Sequence, residues 1–323
     1  MSAPDDRWVS PSSDALRARR VELRRRRRRA RRRNALLAAG IVALVVLALL
    51  LTGGIGRPAS LSHAHQGTIA TGGPRERASN PRPVSRHAGS PRELLAREQA
   101  AIGRLLSRQP FIRWGGNERR DVALTFDDGP GPYTPSLLGQ LRRLHAPATF
   151  FEIGFMIRWF HASLVRELQM GDVIGDHTET HPRMALLSPA AQQQQILEQT
   201  QWLHKYGAPF PRLWRPPYGS YDEATLQILR RRHMLMVLWT VDTDDYLRPG
   251  VRVIVDRALA GVQPGAIILM HDAGGNRTQT IAALPLIVHA LRKRGYRLVT
   301  IPQLILDDPP RRAQPLPTIL HGD

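Results

Sequence analysis

Between Asp121 and Ile301, short apolar runs alternate with segments patterned as helices. The runs are Val122–Asp127, Ala148–Gly154, Asp172–Thr178, Leu213–Tyr218, Leu235–Asp242, Ala266–Asp272 and Tyr296–Ile301. Helical periodicity marks Ser136–Leu144, Ile157–Met170, Pro189–Tyr206, Asp222–Arg232 and Thr278–Arg294. Buried strands alternating with helices predict parallel βα units, because a parallel connection must cross the sheet and a helix does so compactly. A barrel and a doubly wound sheet both fit seven such strands.

Polar residues concentrate at the C-terminal ends of these runs: Asp127 and Asp128, His177, Arg215, Asp242 and His271. That rim is where βα barrels build their chemistry, since strand ends are rigid and the loops beyond them vary freely. One such residue has an easy structural explanation as a solvated turn. Five strands of seven ending this way point to a site.

The region before Asp121 has a different character. Residues 24–33 are arginine except for Ala30, and an uncharged stretch follows from Asn34 to Gly56. Ala35–Gly56 would span roughly 33 Å as a helix at about 1.5 Å per residue, against a hydrocarbon core of about 30 Å. This predicts a single transmembrane helix at 35–56. A basic tail, 1–34, stays cytoplasmic and the remainder of the chain lies outside. A cleaved signal peptide is the competing reading, but its apolar part is shorter and Pro58-Ala59-Ser60 makes a poor cleavage site. Residues 57–90 read as a disordered linker and 91–120 as an amphipathic helix with a lead-in. Residues 121–306 read as the catalytic domain and 307–323 as a disordered tail.

The formal net charge is +19. Residues 121–323 contribute only +2 of it, from 21 basic and 19 acidic side chains. A fold that gripped nucleic acid would carry its excess within the fold, so no nucleic-acid partner is expected. The chain has no cysteine, which excludes disulfides, thiolate metal sites and a cysteine nucleophile. Nothing in the sequence specifies an oligomeric state.

Two adjacent acids closing an apolar strand are costly to bury unless they are paired or hold a cation. His177 and His181, four residues apart, can ligate one metal from a tight loop, and with an acid they make a plausible His, His, Asp site. Thr125-Phe126-Asp127-Asp128-Gly129-Pro130 resembles the first motif of the polysaccharide deacetylase family, the NodB-homology domain of carbohydrate esterase family 4. His177-Thr178-Glu179-Thr180-His181-Pro182 is similar to the second motif, and Arg215-Pro216-Pro217-Tyr218-Gly219 to the third. Asp242-Thr243-Asp244-Asp245-Tyr246 and Leu269-Met270-His271 resemble the fourth and fifth. The five occur in the family's order over about Asp121 to Ile305. The fourth ends in Tyr246 where the family usually has tryptophan, leaving Trp214 and Trp239 as candidates for that pocket wall. Asp176 stands where the family often has a neutral residue.

The resemblance implies an α/β fold of the distorted (β/α)7-barrel, NodB-like type. It implies Asp128, His177 and His181 as ligands of a divalent metal, most simply Zn²⁺, with Co²⁺ or Ni²⁺ also suited to the donor set. Asp127 would be the general base, with Arg215 pairing with it. His271 would be the general acid, with Asp245 fixing its tautomer. The backbone N–H of Tyr218 would meet the oxyanion, and Leu269 would line the acetyl pocket. The implied substrate is an N-acetylated polysaccharide of the cell envelope, peptidoglycan or a chitin-like polymer. An acetyl ester such as xylan, or a small amide, is the alternative for the same site. A non-catalytic glycan binder is the alternative of another class, although none of the named catalytic or ligand residues is lost.

Overall fold

A computed structural model describes residues 90–316. The 35–56 segment, the basic tail and the linker to residue 89 lie outside the described residues. Among the described residues, no helix is long and apolar enough to cross a membrane.

The described residues open with α1 (Pro91–Leu106), begun by a capping box in which Ser90 and Glu93 exchange side-chain and backbone hydrogen bonds. Such reciprocal capping satisfies two otherwise orphan N–H groups. Ala101, Ile102 and Leu105 form its buried stripe. Three of the βα units follow: β1 (Phe111–Ile112), β2 (Asp121–Gly129), α2 (Thr134–Leu144), β3 (Thr149–Glu152), α3 (Gly154–Met170), β4 (Val173–Asp176) and α4 (Pro189–Lys205). The second half contains β5 (Leu213–Trp214), α5 (Glu223–Arg231), β6 (Leu235–Val237), β7 (Val241–Asp242) and α6 (Val251–Ala260). It ends with β8 (Ile267–His271), α7 (Thr278–Lys293), β9 (Arg297–Val299) and α8 (Ile301–Asp307).

The strands form one nine-stranded sheet in the order β1-β6-β5-β4-β3-β2-β8-β7, with β9 also on β2. Every pairing is parallel. Two features depart from the seven-strand expectation. Phe111–Ile112 adds a short strand beside β6. The run Leu235–Asp242 splits in two, with β6 pairing β5 and β7 pairing β8. Leu238, Trp239 and Thr240 therefore carry the chain from β6, second in the strand order, to β7 at its far end. Chain continuity, rather than a ladder, joins β6 to β7.

β2 is the longest strand, and all nine of its residues are buried. Its first half pairs β9 and its second half pairs β3, with β8 along the other edge. Side chains alternate between two cores, as a strand's period of two requires. Val122, Leu124 and Phe126 pack under the helices with Leu137, Leu141, Leu284 and Ile287. Ala123 faces the inner core with Phe151, Leu213, Met236 and Leu269. Thr125 and Asp127 follow Ala123 inward by the same period.

The start of the proline-rich tail is not disordered as expected. Gln314 is buried; its side chain accepts from the Arg113 N–H at 2.6 Å and donates to the Trp114 carbonyl at 2.6 Å. Its own N–H donates to Gln109 Oε1 at 2.9 Å. These polar bonds fasten residues 307–316 without the apolar periodicity that sequence reading depends on.

Candidate active site

Asp127 and Asp128 would point to opposite faces of a regular strand. The β2–β3 register breaks between Asp127 and Gly129, and Asp128 adopts a left-handed φ of 73°. A bulge of this kind inserts one extra residue and re-aims its side chain. Both carboxylates consequently reach the same histidine: His177 Nε2 lies 3.7 Å from Asp127 Oδ2 and 3.8 Å from Asp128 Oδ1.

His177 follows β4 and faces inward, in phase with Val173 and Gly175. Its Nδ1 sits 2.9 Å from the Arg215 carbonyl, which fixes the proton on Nδ1 and turns the Nε2 lone pair toward the aspartates. Burial drives its pKa down to about 3, so the ring stays neutral. His181, at a left-handed φ of 57°, brings Nε2 to 3.1 Å from Asp128 Oδ1. Asp128, His177 and His181 thus each offer one ligand atom within 4.8 Å of the others. Two imidazoles and one carboxylate suit a divalent transition metal. Asp176 does not join them. It is fully buried on the helix-facing side, with Oδ1 accepting from the Thr178 N–H at 2.7 Å, so it shapes the loop between the ligands.

Arg215 leaves the end of β5 inward and is fully buried. Its Nη1 donates to Asp127 Oδ1 and to Thr125 Oγ1, both at 2.8 Å, and its Nε to the Val237 carbonyl at 3.1 Å. The guanidinium lies 4.1 Å over the Phe151 ring. Burial pushes the Asp127 carboxyl above its ordinary range, and the Arg215, His271 and His181 charges oppose that push.

Across the β2–β8 ladder, Asp127 is the register partner of His271. Asp245 grips that histidine with both oxygens: Oδ1 lies 2.7 Å from Nδ1 and Oδ2 accepts the backbone N–H at 3.0 Å. Burial alone would discharge the imidazolium, but the Asp245 carboxylate and its hydrogen bond outweigh it, raising the pKa to about 10. Asp245, of the three acids in its segment, is thus the residue in contact with His271. Thr280 from α7 donates to Asp245 Oδ2 at 2.6 Å, a partner that no nearby sequence signal announces. The Tyr246 ring meets His271 edge-on with centroids 5.5 Å apart, so it is this residue, at the end of the fourth motif, that lies against the histidine.

Leu269 is 1% exposed and lies two residues before His271 on the same strand face. Tyr218 holds a left-handed φ of 58° in the short turn Pro217–Gly219. Its ring meets His181 edge-on at 4.5 Å and lies under the Arg183 guanidinium at 4.3 Å. All nine residues named from the sequence therefore gather at one end of the sheet.

A second acidic group, Glu152, Glu167 and Asp272, is fully buried on the helix-facing side. Burial and mutual repulsion raise Glu152 and Glu167 well above the carboxylate range. Asp272, raised by burial to about 7, accepts a hydrogen bond from Thr134. Burial thus favours the protonated form of all three.

Residues 115–237 match the family model for polysaccharide deacetylases. A Bacillus cereus peptidoglycan-N-acetylglucosamine deacetylase is 38% identical over 199 residues, covering 60% of this chain and 93% of that protein. A Bradyrhizobium chitooligosaccharide deacetylase is 36% identical, covering 57% and 90%. The solved structure of the Bc1960 peptidoglycan N-acetylglucosamine deacetylase superposes with a TM-score of 0.59 at 32% identity, covering 60% of this chain and 92% of that one. With the five motifs on the rim of a parallel α/β sheet, these similarities show that the chain belongs to the polysaccharide deacetylase family.

Proposed function

We propose that the protein removes N-acetyl groups from N-acetylglucosamine units of an envelope glycan, peptidoglycan or a chitin-like polymer, with a divalent metal held by Asp128, His177 and His181. The observation that carries this reading is the placement of Asp127 opposite His271, with the three ligand atoms beside them. The substrate class is that of the similar enzymes from Bacillus cereus and Bradyrhizobium.

A metal in this site supplies Lewis-acid polarisation of the acetyl carbonyl and a more acidic water. Asp127 accepts the proton of the attacking water; Arg215 keeps its carboxylate ionised and aimed. The Tyr218 N–H faces the charge that develops on the acetyl oxygen, and Leu269 lies against the methyl. His271 delivers a proton to the departing nitrogen, which leaves as the free amine while acetate forms. An amine is a poor anionic leaving group, so an acid held protonated suits an amide more than an ester. The Asp245–His271 pair can serve as such an acid. Acetate release from peptidoglycan, chitooligosaccharide and acetylxylan, each with and without chelator, tests the reading. Chelator-resistant turnover, or faster turnover of the ester, would count against it.

The anchor at 35–56 and the outward orientation belong to the same proposal and are supported by the length of that apolar stretch and the arginines before it.

A further inference from the structure

Asp127 and Asp128 are adjacent buried carboxylates, and Arg215 bonds the first of them. The second borders a different arginine. Asp128 Oδ1 faces the histidines, 3.1 Å from His181 Nε2 and 3.8 Å from His177 Nε2. Oδ2 faces the loop after β8. A Cβ built on Gly274 would fall 2.4 Å from that oxygen and 3.2 Å from Arg277 Nη2. Carboxylate and guanidinium therefore border one small volume, which only a residue without Cβ leaves open, and Gly274 also holds a left-handed φ of 73°. Arg277 is 3% exposed, and its Nε donates to the Ala273 carbonyl, tying the guanidinium to the same loop. A buried guanidinium next to a buried carboxylate compensates its charge and restricts its rotation.

We infer that Arg277 is a positioning residue that holds the Asp128 carboxylate turned so that Oδ1 alone faces the two histidines. The inference rests on the metal reading above. It makes a prediction opposite to that of a bystander charge. A fixed cation near a bound metal repels it, so removing a bystander would tighten binding, whereas removing a positioning residue loosens it. Substituting groups that orient a ligand typically costs about 10- to 100-fold in metal affinity.

The test is a Co²⁺ titration of the full chain in detergent, followed by visible absorption, with chelator competition for Zn²⁺. Thermal unfolding of the metal-free proteins accompanies it. Arg277→Gln is expected to raise the dissociation constant about 10- to 100-fold, with metal-free unfolding still cooperative but at a lower midpoint, because Asp128 loses its compensating charge. Arg277→Lys is expected to recover part of the loss, since it restores the charge but not the planar fork. Gly274→Ala is expected to weaken binding by pushing a methyl against Asp128 Oδ2, and with Arg277→Lys it carries the comparison if Arg277→Gln does not fold. Affinity in the Arg277 variants equal to or above the parent's would overturn the role of Arg277 alone. A parent chain that binds neither metal would overturn the metal reading itself.

Discussion

At the scale of single residues, the site divides its buried charge into separate pairs. Arg215 serves Asp127 and Asp245 serves His271. Each pair has a distinct kinetic consequence. On the proposed mechanism, Asp127→Asn removes the proton acceptor while leaving the ligand atoms in place, so turnover should fall by about 10²- to 10⁴-fold with metal stoichiometry unchanged. Equal turnover in that variant would remove Asp127 from the mechanism. Arg215→Ala leaves a buried carboxylate uncompensated and should cost about 3–5 kcal/mol of stability, read from denaturant unfolding. With His271 as the proposed acid, the alkaline limb of the pH–rate profile should report it. With its pKa raised to about 10, the acid is lost only as pH climbs through that value. Asp245→Asn removes the charge that overrides burial, so the alkaline limb of kcat/KM should move to lower pH. A limb that stays in place would assign it to another group.

At the scale of elements, β2 does the most. Its inward alternation delivers Thr125 and Asp127, and its bulge adds Asp128 to the same side. Much of this was legible in the sequence, because Asp127, His177, Arg215 and His271 each end an apolar run. The bulge was not legible, since a two-residue acidic turn can also be a solvated end. Nor were Thr280 and Arg277, which lie on α7 or just before it and reach the site only through the packing of that helix against the sheet. The helix-facing acids Glu152 and Glu167 also escaped notice, Glu152 because it reads as the end of an apolar strand. Their raised pKa values mean that the folded chain retains protons which the unfolded chain has already released. Stability contributed by the protonated groups is therefore lost as pH rises above the unfolded carboxylate value of about 4.3. A Glu152→Gln, Glu167→Gln variant should lose less of its melting temperature between pH 5 and pH 9 than the parent. An identical loss in both would show that these two acids do not govern the alkaline limb.

At the scale of the whole molecule, the described residues are ordered from the capped start of α1 to Gln314. The apolar stretch before them sets the remaining prediction. The full chain should sediment with membranes and be released by detergent, while a chain begun at Arg57 should stay soluble and keep chelator-sensitive activity. Soluble recovery of the intact chain would reject the anchor. The sequence by itself carried the class of fold through periodic burial, and the family and the nine candidate site residues through five motifs, because such periods and motifs are local and are written in consecutive residues. Only the tertiary structure decided that Asp245 holds His271, that Tyr246 lies against that histidine, and that Leu235–Asp242 divides between two strands. It also decided that the start of the tail packs and that Arg277 borders Asp128. Each of these depends on contacts between residues far apart along the chain, and such contacts are set by how the helices and loops settle on the sheet, for which no short stretch of sequence carries a period or a motif.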